Sequence, residues 1–295
     1  MAAGWWSSSP FIVCPGVAFT AMLLLGSGSM LERMQKWIEA GHTRIVAVPA
    51  GLWLLYVIYA AGMGIATAAA AATMVVYLSA PFVLLELWPK TEPLVILWIW
   101  LPLEFGIIRE VLITRTAAVD VHYAFAQLLA VDAGIVAFAV WNRTPNIGYR
   151  FEWGREGFVK ALANFLLFAA IGIPLGLAIH FVHYGFSIQK LYLALPLFVG
   201  IFLLTALPEE FLFRGLIQNW IERGTKRPFV SLILASVIFG ASHLNNGAPI
   251  PNYRYFLMAA IAGVFYGRAW RSTGSLMASS ITHAFVDTIW TVAFR

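Results

Sequence analysis

The chain has 295 residues, of which 61% are hydrophobic, 15% aromatic and only 11% charged. A soluble globular domain carries about 25% charged residues, so this chain lacks the polar surface that water requires. The net charge of +5 does not indicate nucleic-acid binding, because the basic residues form short clusters between apolar runs. The single cysteine, Cys14, lies in an apolar run and excludes an internal disulfide. We therefore predict an all-α, polytopic membrane protein.

Apolar segments follow one another along the chain, separated by charged residues, glycine and proline. A bilayer crossing takes about 20 mainly apolar residues. No Lys or Arg precedes the first segment, which predicts a retained span rather than a cleaved signal peptide. We predict a transmembrane helical bundle of about ten spans, near residues 10–31, 45–66, 68–87, 93–111, 116–141, 158–183, 188–222, 229–244, 254–270 and 275–292.

The distribution of Lys and Arg predicts the orientation and the domain organisation. When the chain crosses the membrane alternately, thirteen basic residues fall on one side and five on the other. Cytoplasmic loops are enriched in Lys and Arg, so the richer side is predicted to be cytoplasmic. The longest polar connection, 142–160, lies on that side. It predicts a boundary between an N-terminal transmembrane region, 1–157, of about five spans and unassigned role, and a C-terminal domain, 158–295.

The seventh predicted segment contains two adjacent carboxylates and an arginine. Insertion of a charged residue at the membrane centre costs about 2.5–3.5 kcal/mol, so these residues are candidates for a function. Residues four apart share a helix face, while adjacent residues diverge by about 100°. Glu210 can therefore pair with Arg214 while Glu209 points elsewhere. Pro208 cannot donate a helical hydrogen bond, so it loosens the helix beside the acids and lets water approach.

Three further polar residues lie at a similar predicted depth. His243 follows an apolar run, and His283 and Asp287 lie four apart on one face of the last segment. At a rise of about 1.5 Å per residue, Glu209 and His243 both lie roughly 20 Å from the same predicted turn. His283 and Asp287 lie roughly 14 and 20 Å from the next turn by the same rise. A carboxylate and an imidazole held together in an apolar environment are suited to hydrolysis, because they can activate water and move its protons.

These residues form three ordered motifs within hydrophobic segments, namely Glu209-Glu210-x-x-x-Arg214, Phe239-x-x-x-His243 and His283-x-x-x-Asp287. The set resembles the motifs of the CAAX prenyl protease type II (CPBP) family, which includes Ras-converting enzymes and bacterial bacteriocin-processing and immunity proteins. The resemblance covers about residues 158–293. It implies an intramembrane endopeptidase with a catalytic cavity among the C-terminal helices.

The resemblance also implies a role for each motif residue. Glu209 and His243 would activate the attacking water, and His283 and Asp287 would line the oxyanion site. Glu210 and Arg214 would hold the helix. Position 287 departs from the family pattern, which has asparagine there, and an ionised aspartate accepts hydrogen bonds only. An alternative role for Asp287 is to orient His283 through a neighbouring helix or a water molecule.

Other functions stay open at this stage. A zinc site on Glu209, His243 and His283 is a weaker alternative to a cofactor-free mechanism, because no His-Glu-x-x-His pair is present. A non-catalytic membrane immunity or transport-accessory protein of the same family is the main alternative, and a proton-coupled transporter is the third. The expected partners are membrane lipid and a peptide or membrane-associated protein substrate, with no nucleic acid. The expected location is the bacterial plasma membrane, and prenylation of the substrate stays open.

Two further patterns predict packing rather than chemistry. Asp120, His122 and Asp132 in the fifth segment have no partner motif, so we predict helix–helix hydrogen bonds or a route for water. Gly263-x-x-x-Gly267 predicts a face where one helix approaches another closely.

Overall fold

The computed structural model describes residues 9–41, 43–108, 119–152, 154–186 and 188–294, and their side chains except those of Pro89 and residues 119–121. Within these ranges the chain forms helices and no strand beyond one isolated bridge between Tyr184 and Phe294, which confirms the all-α prediction. The predicted end of the fourth segment and start of the fifth, with Arg109 and Arg115, lie outside the described residues.

The chain divides into two compact units, Met1–Pro145 and Asn146–Arg295. The division falls inside the polar connection 142–160. The residues just after the division are already bound to helices of the second unit. The Trp270 indole donates to the Ile147 carbonyl over 3.2 Å, and the Leu276 amide donates to the Gly148 carbonyl over 3.0 Å.

The described helices of the N-terminal unit follow the apolar segments of the sequence. Helix α1 contacts α3 and α6, and α1 is bent by 97° relative to α2. A π-helix, Val136–Trp141, continues α6. The helices are α1 (Ser9–Leu25), α2 (Gly28–Glu39), α3 (Arg44–Gly62), α4 (Ala68–Leu87), α5 (Glu92–Glu104) and α6 (Val119–Ile135).

Polar residues inside this unit join its helices. The Tyr59 hydroxyl on α3 lies 2.7 Å from Nδ1 of His122 on α6, and both side chains are buried. This contact confirms the predicted interhelical hydrogen bond for His122. Asp132 is also buried, with 1% of its surface exposed, whereas the Asp120 side chain lies outside what the structure describes.

The C-terminal unit is a bundle in which α11 packs along α10 and also contacts α7 and α12. Helix α9 contacts α12 and is not a regular α-helix throughout. Two π-helical stretches, Phe202–Ala206 and Phe211–Gln218, flank a short α-helical segment, Leu207–Glu210. The helices are α7 (Arg155–Ala178), α8 (Ile188–Tyr192), α9 (Ala194–Thr225), α10 (Pro228–Ala241), α11 (Tyr253–Thr273) and α12 (Leu276–Ala293).

Small residues bring α10 and α11 together. A Cβ atom on Gly263 would lie 3.2 Å from the Cα of Ser236, and one on Gly267 would lie 2.5 Å from both Oε1 of Gln218 and Cδ1 of Leu232. A Cβ atom on either glycine would therefore force its neighbours to shift. The prediction that Gly263 and Gly267 mark a close helix approach is confirmed.

Five described helical stretches are long and apolar enough to cross a membrane, or six if the bent pair α1 and α2 forms one span. They lie in α3, α4, α6 with its π-helix, α7 and α9. Each of the ten predicted segments contains a helix, but the count of ten spans is not confirmed. Helix α10 has only 14 residues, and α11 and α12 are too polar by composition, since they carry the arginines and the site residues described below.

Candidate active site

Glu210 and Arg214 form a fully buried ion pair on α9. Nε of Arg214 donates to Oε2 of Glu210 over 3.0 Å, and both side chains have 0% of their surface exposed. Residues four apart share one face of a helix, so the two side chains can meet. The guanidinium also lies over the Phe239 ring, 5.0 Å from its centroid, where a cation is attracted by the aromatic face.

Glu210 does more than pair with the arginine, because it also binds α12. Its Oε1 lies 2.9 Å from Nδ1 of His283, and the Ser279 hydroxyl donates to its Oε2. The Ser279 hydroxyl oxygen also lies 3.0 Å from the Tyr266 carbonyl oxygen, a second acceptor for its single proton, which adds α11 to the network. The resemblance assigned Glu210 only to holding its own helix. The structure shows that it joins α9 to α12 and orients the histidine.

Glu209 lies on a different side of the helix from Glu210, as adjacent helical residues do. Its side chain is 35% exposed, and Oε2 lies 3.9 Å from Nε2 of His283. It faces a cavity, whereas Glu210 is enclosed.

His243 lies in the turn that follows α10. Its Nδ1 is 2.8 Å from the Phe239 carbonyl oxygen, and because that oxygen only accepts, Nδ1 is the protonated nitrogen. In the neutral ring Nε2 is then an acceptor, which suits a nitrogen that holds a water molecule. The Phe239 and Tyr255 rings lie 4.7 and 4.8 Å from the imidazole, between centroids, and fix its plane.

His283 stands between carboxylates. Besides Glu210 at Nδ1, its Nε2 lies 3.4 Å from Oδ2 of Asp287, one turn along α12. The ring stacks on Tyr266, with centroids 4.4 Å apart and planes 14° from parallel. The contact with Asp287 is direct and within one helix, because residues four apart share a face. The predicted route through a neighbouring helix or a water molecule is therefore wrong.

These residues meet at a cavity of about 390 Å³ enclosed by helices of the C-terminal unit. Four sequence-predicted residues line it: Glu209, His243, His283 and Asp287. Glu210 and Arg214 are buried behind them. The remaining wall is largely apolar and aromatic, with Phe168, Met258 and Trp290 among its residues. A wall of this kind, with a few polar groups among apolar and aromatic side chains, is typical of a ligand-binding pocket.

Sequence reasoning missed Ser279, Tyr266, Asn246 and Tyr255. Ser279 could have been found, since it lies four residues before His283 and shares the face that also carries Asp287. Tyr266 lies beside Gly267, whose spacing was interpreted only as packing. Asn246 and Tyr255 lie outside the three motifs and line the cavity through tertiary contacts alone.

The zinc alternative requires Glu209, His243 and His283 to converge on one ion. Among the described residues, no group of three or more His, Cys, Asp or Glu side chains is arranged to hold one. Nδ1 of His243 is bound to a backbone carbonyl and Nδ1 of His283 to Glu210, so only Nε2 of each ring is left to bind an ion.

One comparison with known proteins gave a match. Residues 191–289 match the family model of the Rce1-like type II CAAX prenyl endopeptidases. The predicted family resemblance is thereby confirmed, over a shorter stretch than the predicted 158–293. No curated protein and no solved structure matches the chain.

The matched region contains all three motifs and every residue that lines the cavity except Phe168, Trp290 and Thr291. The family is one of membrane proteases. Together with the apolar helices, the match indicates a peptide hydrolase that is integral to a membrane.

Proposed function

We propose that the protein is an intramembrane endopeptidase that hydrolyses a peptide bond with a water molecule activated by Glu209 and His243. The observation that carries the proposal is the cavity of about 390 Å³ in which Glu209, His243 and His283 face one space inside the matched region. In this proposal α10, α11 and α12 also lie in the bilayer, with their polar residues turned towards the cavity, as the ten-segment prediction requires.

The chemistry assigned to each residue follows from its contacts. Glu209 accepts a proton from the water, while Nε2 of His243 holds the second hydrogen of that water. The water oxygen attacks the carbonyl carbon, and the carbonyl electron pair moves to its oxygen. His283 carries a proton on both ring nitrogens, so that Nδ1 donates to Glu210 and Nε2 donates to this oxyanion. When the C–N bond breaks, the proton held by Glu209 passes to the leaving amine.

The substrate is a peptide or a membrane-associated protein that reaches the site from the bilayer, and the membrane is the plasma membrane of a bacterium. The apolar and aromatic wall of the cavity supports a substrate segment of apolar character. Membrane lipid is the second partner. No nucleic acid is involved, because the basic residues are distributed among the loops.

The test is a proteomic comparison of membranes from cells that carry the wild type or Glu209→Gln. We expect uncleaved precursors to accumulate with the variant, because glutamine cannot accept the proton of water. His243→Ala should accumulate the same precursors. The matched control is Glu152→Gln, a carboxylate in the same unit with 78% of its side chain exposed, which should leave processing unchanged.

A different outcome would support the non-catalytic alternative. If Glu209→Gln and His243→Ala both reach the membrane in normal amounts and give the wild-type proteome and full biological activity, the protein is an immunity or transport-accessory protein. The Glu210–Arg214–His283 network would then serve packing alone.

A further inference from the structure

The proposed reaction develops negative charge on an oxyanion, and two of the charged side chains of the cavity cannot donate a hydrogen bond to it. These are Glu209 and Asp287, which are acceptors when ionised. Asp287 therefore cannot stabilise an oxyanion in the way an amide at that position could. His283 supplies one donor, and a second donor must come from another residue of the wall if the oxyanion is to be held from two sides.

Tyr255 presents a hydroxyl to this cavity from the first turn of α11. Its ring lies beside His243, with centroids 4.8 Å apart, and it faces the Trp290 ring at 6.3 Å with planes 14° from parallel. The Phe181 ring lies 5.3 Å away. Aromatic groups thus surround the ring and fix the direction of its hydroxyl.

The backbone of Tyr255 is also held in place. Its amide donates to Oδ1 of Asn252, the residue that caps α11, over 3.0 Å. Nδ2 of Asn252 donates in turn to the Asn246 carbonyl over 2.9 Å. The Asn246 side chain lines the cavity and hydrogen-bonds the Tyr255 hydroxyl. The loop between α10 and α11 and the start of α11 therefore form one connected support for this hydroxyl.

The hydroxyl lies close enough to Glu209 and Asp287 to interact with both carboxylates electrostatically. Tyr255 thus brings a neutral O–H donor to the cavity that Glu209, His243 and Asp287 also line. A phenylalanine would make the same ring contacts, so packing does not explain the hydroxyl.

We propose that Tyr255 is a catalytic residue that donates a hydrogen bond to the oxyanion opposite His283, with Asn246 as its positioning residue. The inference rests on the proposed function. The phenol keeps its proton throughout: it stabilises the electron pair that the carbonyl oxygen gains on attack and releases it when the C=O bond re-forms. Tyr255 thereby supplies the donor that Asp287 cannot.

The experiment uses the full chain in lipid nanodiscs and a library of internally quenched peptides, from which the peptide that the wild type cleaves fastest is chosen. Tyr255→Phe should lower kcat by about 10²–10³-fold with little change in KM, as expected when one oxyanion donor is removed. Tyr253→Phe on the same helix, where Tyr253 is 70% exposed and does not line the cavity, is the matched control.

Two double variants separate a donor role from a structural one. The double variant Tyr255→Phe with Asp287→Asn should have a kcat at least tenfold higher than Tyr255→Phe alone, because the new amide is a donor. Asn246→Ala should lower kcat in the wild type and change it less than twofold in the Tyr255→Phe background. A merely structural tyrosine would give neither the rescue nor this loss of additivity.

The inference and the proposed function fail in different ways. If Glu209→Gln abolishes cleavage while Tyr255→Phe keeps kcat within twofold of the wild type, the role of Tyr255 is overturned and the endopeptidase stands. If the wild type cleaves no peptide of the library, or Glu209→Gln cleaves as fast as the wild type, both are overturned.

Discussion

Glu209 and Glu210 are neighbours in the sequence and occupy opposite environments. Glu210 is enclosed and bound by Arg214, Ser279 and His283, whereas Glu209 is 35% exposed and faces the cavity. A buried carboxylate that is paired with a charge and fully hydrogen-bonded is a poor base for water, because each of these contacts stabilises its ionised form. The partly exposed neighbour is the one that can take a proton. The helical rotation of about 100° between adjacent residues separates the two tasks.

This division predicts opposite effects for the two glutamates. Glu210→Ala should lower the free energy of unfolding by about 3–5 kcal/mol, because it leaves the Arg214 charge buried without its partner. Glu209→Gln should leave stability nearly unchanged and abolish activity. Thermal unfolding of both variants in the same detergent measures the difference. Equal stability of Glu210→Ala and the wild type would show that the ion pair does not hold the site together.

Phe239 shows how far the role of a single residue could be predicted from the sequence. The Phe239-x-x-x-His243 spacing was visible in the sequence, but its meaning was not. The carbonyl of Phe239 fixes Nδ1 of His243, and its ring contacts the Arg214 guanidinium. The residue type at position 239 does not reveal which group its backbone carbonyl or its ring face will contact. Only the folded structure shows these two roles.

At the scale of elements, the helix periodicity placed most of the site residues correctly on faces but gave no sign of the π-helical stretches in α9. These stretches lie on both sides of Leu207–Glu210, next to Pro208, which cannot donate a backbone hydrogen bond. A π-helix turns more slowly per residue than an α-helix and often occurs at functional sites. It changes which side chains of α9 face α12, and this local geometry depends on packing against neighbouring helices.

The contact between α10 and α11 gives a prediction at this scale. Gly267→Ala should lower the free energy of unfolding by about 1–3 kcal/mol, because its Cβ atom would overlap the buried ends of the Leu232 and Gln218 side chains and force them out of their packed positions. The control is Gly200→Ala in α9, where a Cβ atom meets nothing within 4 Å. There alanine should be neutral or stabilise by about 0.5–1 kcal/mol through its better helix propensity. Thermal unfolding measures the stability of both variants. If Gly267→Ala is as stable as the wild type, the side chains around Gly267 are not tightly packed against it.

At the scale of the whole molecule, the surface is apolar where the sequence predicts membrane. Large apolar side chains are exposed along the spans, with Leu204 at 65% and Leu195 at 73%. Such exposure in water would be unfavourable, whereas lipid removes the cost. The excess of basic residues on one side predicts that the turn after α9, with Lys226 and Arg227, is cytoplasmic.

The exposed face of α9 gives a prediction for the membrane itself. Leu204→Arg should reduce insertion of this helix, because arginine near the centre of a span costs about 2.5–3.5 kcal/mol. Ile250→Arg, at a side chain 69% exposed in the loop between α10 and α11, should insert as the wild type does. A glycosylation-based insertion assay measures both. Equal insertion of the two variants would place Leu204 outside the bilayer.

The sequence by itself determined that the chain faces lipid, its helical class, the three motifs and the resemblance to the Rce1-like family, because composition, periodicity and residue type are local properties. Tertiary structure decided the rest. It joined Glu210 to His283 across two helices, brought Asn246 and Tyr255 into the cavity wall, and set Asp287 directly against His283. These contacts depend on the packing and rotation of helices far apart in the chain, and no spacing within one helix encodes them.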